Sequence, residues 1–238
     1  MLHGMGVTYS IWQNLIPLLK SDYKLILVEL PGHGSSPPPD FQSSYYQNSA
    51  ALLEKLRRRL QIETWDILGY SLGAWVARAY IHQHPAYVKR AIYLCPALLP
   101  PALTYSIKSA LKLEQKVPRL GSWLLDGWRL RYLVRVLGFN GQKHAYARIW
   151  EDEIRSQPAS VIKKLIYDLP TAQPNQFQSS HPIPHLFIWG TQDIVVRRPR
   201  RLCQQDIIIH GNHSAPMLAA GEINGAIRQF LSQEHSSP

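Results

Sequence analysis

Five short apolar runs lie along this chain, at 24–30, 64–69, 89–94, 184–190 and 206–210, and helical patterns separate most of them. The first reads Lys-Leu-Ile-Leu-Val-Glu-Leu, with little alternation between apolar and polar positions. Strands that are apolar on both faces belong inside a parallel sheet flanked by helices. The expected fold class is therefore α/β, a mostly parallel, doubly wound sheet. Apolar spacing predicts helices over 10–20 (Ile11, Leu15, Leu18 and Leu19 on one face), 44–60 (Ala51, Leu52, Leu56 and Leu60 inward), 73–83 and 219–231. Residues 232–238 read as a frayed tail.

The pattern changes between about 100 and 181, where four segments (104–116, 121–137, 142–156 and 158–168) read as helices with no strand between them. This divides the chain into a core, 1–99 and 182–238, and a helical lid inserted at 100–181. The lid carries Trp123, Trp128 and Trp150, which are candidates for lining an apolar substrate pocket. Residues 169–182 form a Pro-rich return linker.

At 238 residues, with 45% apolar and 18% charged content, the chain is sized and composed for one large globular domain. No apolar run approaches the roughly 20 residues that span a bilayer, so no stable membrane insertion is expected. The N-terminus lacks a basic segment followed by an apolar one, and Cys95 and Cys203 show neither metal-ligand spacing nor a disulfide framework. A cytoplasmic location with reduced thiols is the expectation. The net charge of +10 comes from basic clusters at Arg57-Arg58-Arg59, in 129–135, and at 197–201. None carries a nucleic-acid-binding signature, so these read as solvated faces. The expected partner is a small-molecule substrate, with no nucleic acid and an open oligomeric state.

The chemistry concentrates where strands end. Gly69-Tyr70-Ser71-Leu72-Gly73 joins an apolar strand to a helix, the setting in which Gly-x-Ser-x-Gly forms a sharp turn that pushes a serine hydroxyl outward. A serine needs a base to take its proton and a third group to hold that base. Asp193 follows the run at 184–190, and His213 follows the run at 206–210. Both sit just past the C-terminal end of a strand, where open parallel sheets place their ligands. Rival residues are weaker. Asp206 begins a strand, Asp168 belongs to the insertion, His210 reads as a core or supporting residue, and His82 and His84 cap a helix end. A developing oxyanion would need backbone donors. The amide of Leu72, directly after the serine, and that of Met5, in His3-Gly4-Met5-Gly6, are the candidates, with His3 beside the pocket.

These stretches resemble the α/β-hydrolase superfamily, specifically its lidded branch with short His-Gly-x-Gly loops. The likeness rests on His3-Gly4-Met5-Gly6 with Trp12, Pro31-Gly32-His33-Gly34-Ser35, Gly69-Tyr70-Ser71-Leu72-Gly73, His84-Pro85, Trp189-Gly190-Thr191-Gln192-Asp193 and Gly211-Asn212-His213-Ser214-Ala215-Pro216. It implies a serine hydrolase acting on carboxylic esters or related acyl substrates, with no cofactor and no metal. A lyase or synthase of the menaquinone-pathway type using the same residues is the alternative, as is a non-catalytic binding protein on the same fold. Two departures from the family pattern stand out. The connection 195–205 is short and Arg-rich where a full helix is usual, and only Met1 and Leu2 precede the His-Gly loop. The resemblance places a strand between the runs at 24–30 and 64–69, so the expectation is that N-terminal strands are missing and the sequence is truncated.

Overall fold

The computed structural model describes residues 1–97, 132, 135–136, 138–141, 145–169, 183–196, 198 and 206–233. Four strands, β1 (Trp65–Tyr70), β2 (Val88–Leu94), β3 (His185–Gly190) and β4 (Asp206–Ile209), form one parallel sheet in that order. Side chains alternate across it. Ile67, Tyr93, Phe187 and Trp189 enter one apolar core, while Leu68, Ile92, Leu94, Leu186 and Ile188 enter a second core on the other face. Burial on both faces explains why these strands read as unbroken apolar runs.

Helices α2 (Tyr45–Arg59) and α3 (Gly73–Gln83) cover the first face; α1 (Ile16–Leu19), the short helix α6 (Ala215–Leu218) and α7 (Ala220–Ser232) contribute to the second. Helices α4 (Ala145–Ser156) and α5 (Ala159–Asp168) follow one another within the sequence expected to form the lid. Val161 and Leu165 of α5 join the first core, and Ala147 and Trp150 of α4 join the second. The segments 104–116 and 121–131, Trp123, Trp128 and most of the connection 195–205 lie outside the described residues, as do both ends of the expected lid.

Three expectations about local structure are corrected. The helix over 10–20 is two pieces, a 3₁₀ turn (Tyr9–Trp12) and α1. Pro17 supplies no N–H and its ring would clash with the carbonyl four residues earlier, so a continuous helix cannot pass through it. On α2 the inward face is not Ala51, Leu52, Leu56 and Leu60 but Ala50, Leu53, Glu54 and Arg57. The buried polar pair explains this: Arg57 Nε and Nη2 donate to Glu54 at 2.9 and 2.8 Å, and the Tyr80 hydroxyl donates to the same carboxylate at 2.8 Å. Arg57 is thus not part of a solvated face.

The third correction concerns 24–30, which is extended but makes only a single bridge, Val28 to Leu2. Leu2 bridges in parallel to Val28 on one side and Gly69 on the other. Its N–H donates to the Leu68 carbonyl at 2.8 Å, and its carbonyl accepts from Tyr70 N–H at 2.9 Å. One residue therefore occupies the position between the two flanking runs. Beside it lies a cavity of about 380 Å³ lined by Met1, Leu25, Ile26, Trp65, Ile67 and Ile227, among others.

Candidate active site

Ser71 sits in the turn between β1 and α3 with φ +51°, a left-handed conformation that costs a non-glycine residue about 1–3 kcal/mol. Its neighbours hold it there. Ser71 N–H donates to the Leu94 carbonyl at 2.9 Å, and its carbonyl accepts from Ala97 N–H at 3.0 Å. The glycines on either side are required by close approach. A Cβ on Gly69 would lie 2.7 Å from the Gly73 carbonyl oxygen, and one on Gly73 would lie 2.4 Å from the His3 oxygen and 2.5 Å from the Leu2 oxygen. Gly73 thus lets the loop at 3–6 lie against the start of α3. We expect Gly73→Ala to push that loop away, lowering stability by roughly 1–3 kcal/mol. It should also cut turnover at least tenfold, which thermal melts and ester kinetics on the same preparation would check.

The three residues singled out from the sequence come together. Ser71 Oγ lies 3.0 Å from His213 Nε2, and His213 Nδ1 lies 2.8 Å from Asp193 Oδ2. With Nδ1–H donating to the carboxylate, Nε2 is left to accept the serine proton. Asp193 is nearly sealed from solvent, its side chain 2% exposed. Burial alone would raise its pKa. The facing His213 and the amides of Val195 and Val196, each 2.9 Å from Oδ1, outweigh that, and the carboxyl titrates below its ordinary value. The acid and histidine loops are also knitted together: Gln192 N–H donates to the Gly211 carbonyl at 2.9 Å. A base poised on the hydroxyl and an ionised carboxylate orienting that base are the parts of nucleophilic acyl transfer.

The rival residues have other partners. Asp168 Oδ2 accepts from Tyr45 N–H at 2.6 Å and pairs with Lys164. His210 is exposed and is not a core residue; its backbone N–H donates to Glu222 at 2.9 Å. His3 is fully buried, and both ring nitrogens meet backbone groups: Nε2 accepts from Leu30 N–H at 3.0 Å, and Nδ1 donates to its neighbour's carbonyl, Gly4 O, at 2.8 Å. The ring therefore shapes the loop and leaves no nitrogen for a ligand. Met5 is half-buried and follows Gly4, and Leu72, directly after the serine, is buried. Gly4 lies so close to Ser71 that a Cβ on it would be 3.1 Å from the serine Cβ.

Burial, reinforced by His33, lowers the His3 pKa to about 3. From pH 6.5 down to about 3, the unfolded chain binds a proton here that the folded chain refuses, so stability falls as pH drops. The expected slope is about 1.4 kcal/mol per pH unit from this group. Urea midpoints at pH 7, 6 and 5 should decline accordingly, and His3→Gln should flatten the decline.

Two supporting contacts had no signal in the sequence. The Tyr70 hydroxyl donates to the His213 carbonyl at 2.5 Å, and its ring lies 5.3 Å from the imidazole. Glu153, on α4, accepts from Thr8 N–H at 3.0 Å, from the Thr8 hydroxyl at 2.6 Å and from the Ser10 hydroxyl, all just after the 3–6 loop. Cys95, with φ +42°, is buried next to Asp193; burial, then that charge, keeps its thiol protonated.

Residues 1–135 match the family described as alpha/beta hydrolase fold. The chain belongs to that family. Among its relatives is a pimeloyl-[acyl-carrier protein] methyl ester esterase of Legionella pneumophila, 36% identical over 92 residues; the match takes in 39% of this chain and 35% of that protein. The chain thus matches about a third of the length of that relative. The monoacylglycerol lipase abhd6-B of Xenopus laevis is 21% identical along 100% of this chain and 76% of its own length. Among solved structures, the bromoperoxidase of Bacillus anthracis superposes with a TM-score of 0.75 at 18% identity, covering 98% of this chain and 90% of that one; at that identity the likeness speaks for the fold. No helix among the described residues is long and apolar enough to cross a membrane.

Proposed function

We propose that the protein is a serine hydrolase that cleaves carboxylic esters or related acyl substrates through an acyl-enzyme. The observation that carries this is the hydrogen-bonded line Ser71–His213–Asp193, at 3.0 and 2.8 Å, on a serine held in a strained turn. Ser71 Oγ attacks the acyl carbonyl while His213 Nε2 takes the hydroxyl proton. Asp193 keeps His213 in the required tautomer and stabilises its charged form. The amides of Leu72, the N-cap residue of α3, and of Met5 hold the oxyanion. His213 returns the proton to the leaving group, and water then repeats the cycle in reverse to free the acid. Ester hydrolysis also fits the relatives named for a methyl ester and for monoacylglycerol. The segment 100–181 acts in this reading as a lid, with Trp150 of α4 against His213.

The test is pre-steady-state hydrolysis of p-nitrophenyl esters of graded chain length. A burst of p-nitrophenol equal to the enzyme concentration, with Ser71 labelled by a fluorophosphonate, is expected. Turnover without labelling of Ser71 would point to another nucleophile.

A further inference from the structure

The loop that carries Met5 is gripped at its two ends and held by little between them. Upstream, Leu2 pairs with β1, and the His3 ring is tied to the Leu30 N–H and the Gly4 carbonyl. From His3 to Val7, no backbone N–H donates to a main-chain carbonyl among the described residues. A stretch without backbone bonds of its own takes its shape from what grips its ends. Downstream, that grip comes from α4. Glu153 Oε2 accepts from Thr8 N–H at 3.0 Å, and Oε1 accepts from the Thr8 hydroxyl at 2.6 Å and from the Ser10 hydroxyl. The Thr8 hydroxyl in turn accepts from Ser10 N–H at 3.2 Å, so the carboxylate fixes the residue that caps the Tyr9–Trp12 turn. Bonds to an ionised acceptor are stronger than neutral ones. A further bond, Tyr9 N–H to Glu29 at 3.1 Å, is single and exposed. The next residue of α4, Ile154, packs on the loop itself: a Cβ on Gly6 would lie 2.6 Å from Ile154 Cγ1. Gly6, at φ +75°, has wide conformational freedom, so the loop turns easily there once its exit is released. Buried Val7 anchors a side chain, not the peptide planes on either side of it.

We propose that Glu153 is a positioning residue for the reaction, holding the exit of the 3–6 loop so that the Met5 N–H stays aimed at the developing oxyanion. The inference rests on the reading of Ser71 as nucleophile and Met5 as oxyanion donor. Glu153 itself touches no reacting atom. An oxyanion donor acts by being in place before charge develops. A loop free to swing therefore loses transition-state stabilisation and leaves the ground-state complex nearly as it was.

The experiment compares wild type with Glu153→Ala and Glu153→Gln. It measures p-nitrophenyl butyrate kinetics, thermal melting, and inhibition by a trifluoromethyl alkyl ketone against the matching secondary alcohol. On the ketone, Ser71 Oγ bonds to the carbonyl carbon, the hydroxyl proton passes to His213, and the carbonyl electron pair moves onto oxygen, which then occupies the oxyanion position. The alcohol fills the same space and forms no adduct. Releasing a donor costs less than the roughly 10²–10³ of removing one, so Glu153→Ala should lower kcat about 30-fold with KM within about twofold. Ketone affinity should fall in the same proportion while alcohol affinity holds. Glu153→Gln keeps one acceptor oxygen but sets an NH₂ against a donor, so it should lose about fivefold in kcat and in ketone affinity. It decides the matter if Glu153→Ala fails to fold. A lower melting temperature with kcat and ketone affinity unchanged would make Glu153 a structural tie only and overturn the proposal. Equal losses of ketone and alcohol affinity would overturn it too, and both results leave the nucleophile standing. Absence of fluorophosphonate labelling of Ser71 in wild type would overturn the reading of Ser71 and this proposal with it.

Discussion

Ser71→Ala is expected to abolish fluorophosphonate labelling and to lower ester turnover by on the order of 10⁵-fold, leaving only what the oxyanion donors and binding supply. The fold should survive the change. The backbone of Ser71 is held by the Leu94 carbonyl and the Ala97 amide, and both contacts are independent of the side chain. Alanine would inherit the strain of φ +51°, whereas Ser71→Gly would relieve it. The glycine variant is therefore expected to be just as inactive yet more stable than wild type, by about 1 kcal/mol. Paired measurement of melting temperature and turnover checks both halves. An alanine variant retaining a tenth of the activity would sink the nucleophile assignment.

Asp193→Asn should cost roughly 10³–10⁴ in kcat at neutral pH. The reason lies in the oxygen facing away from His213. Asp193 Oδ1 accepts from the amides of Val195 and Val196, so an asparagine would keep its carbonyl oxygen there and turn its NH₂ toward His213 Nδ1. Nδ1 would then have to accept, the proton would move to Nε2, and Nε2 could no longer take a proton from Ser71. The variant should bind substrate with little change in KM while labelling of Ser71 slows in parallel with kcat. Less than a tenfold loss would mean that another acid orients His213.

The sequence made some of this legible and hid the rest for identifiable reasons. Ser71, Asp193 and His213 could be named because each follows an apolar strand at a turn, and the ends of parallel strands converge. The inward face of α2 escapes a reading by apolar spacing because Glu54 and Arg57 neutralise each other in the core with Tyr80, and hydrophobic spacing cannot anticipate a buried ion pair. The run at 24–30 has strand-like composition, but whether it pairs depends on what lies beside it, which spacing within the run does not encode. Tyr70 and Glu153 were silent for a related reason: their partners lie more than 140 positions away, His213 at a separation of 143 and Thr8 at 145.

The grip of Glu153 on Thr8 and Ser10 has an evolutionary consequence. A pocket-covering segment is commonly regarded as an exchangeable part, free to diverge while the reacting core stays fixed. In this chain the same helix that carries Trp150 to the site also fastens the flank of the 3–6 loop. A transplanted cover without a carboxylate at position 153 would bring a new substrate range and release the loop at the same time. Under the proposed lid reading, selectivity and rate are not separable traits, and divergence of one drags the other with it.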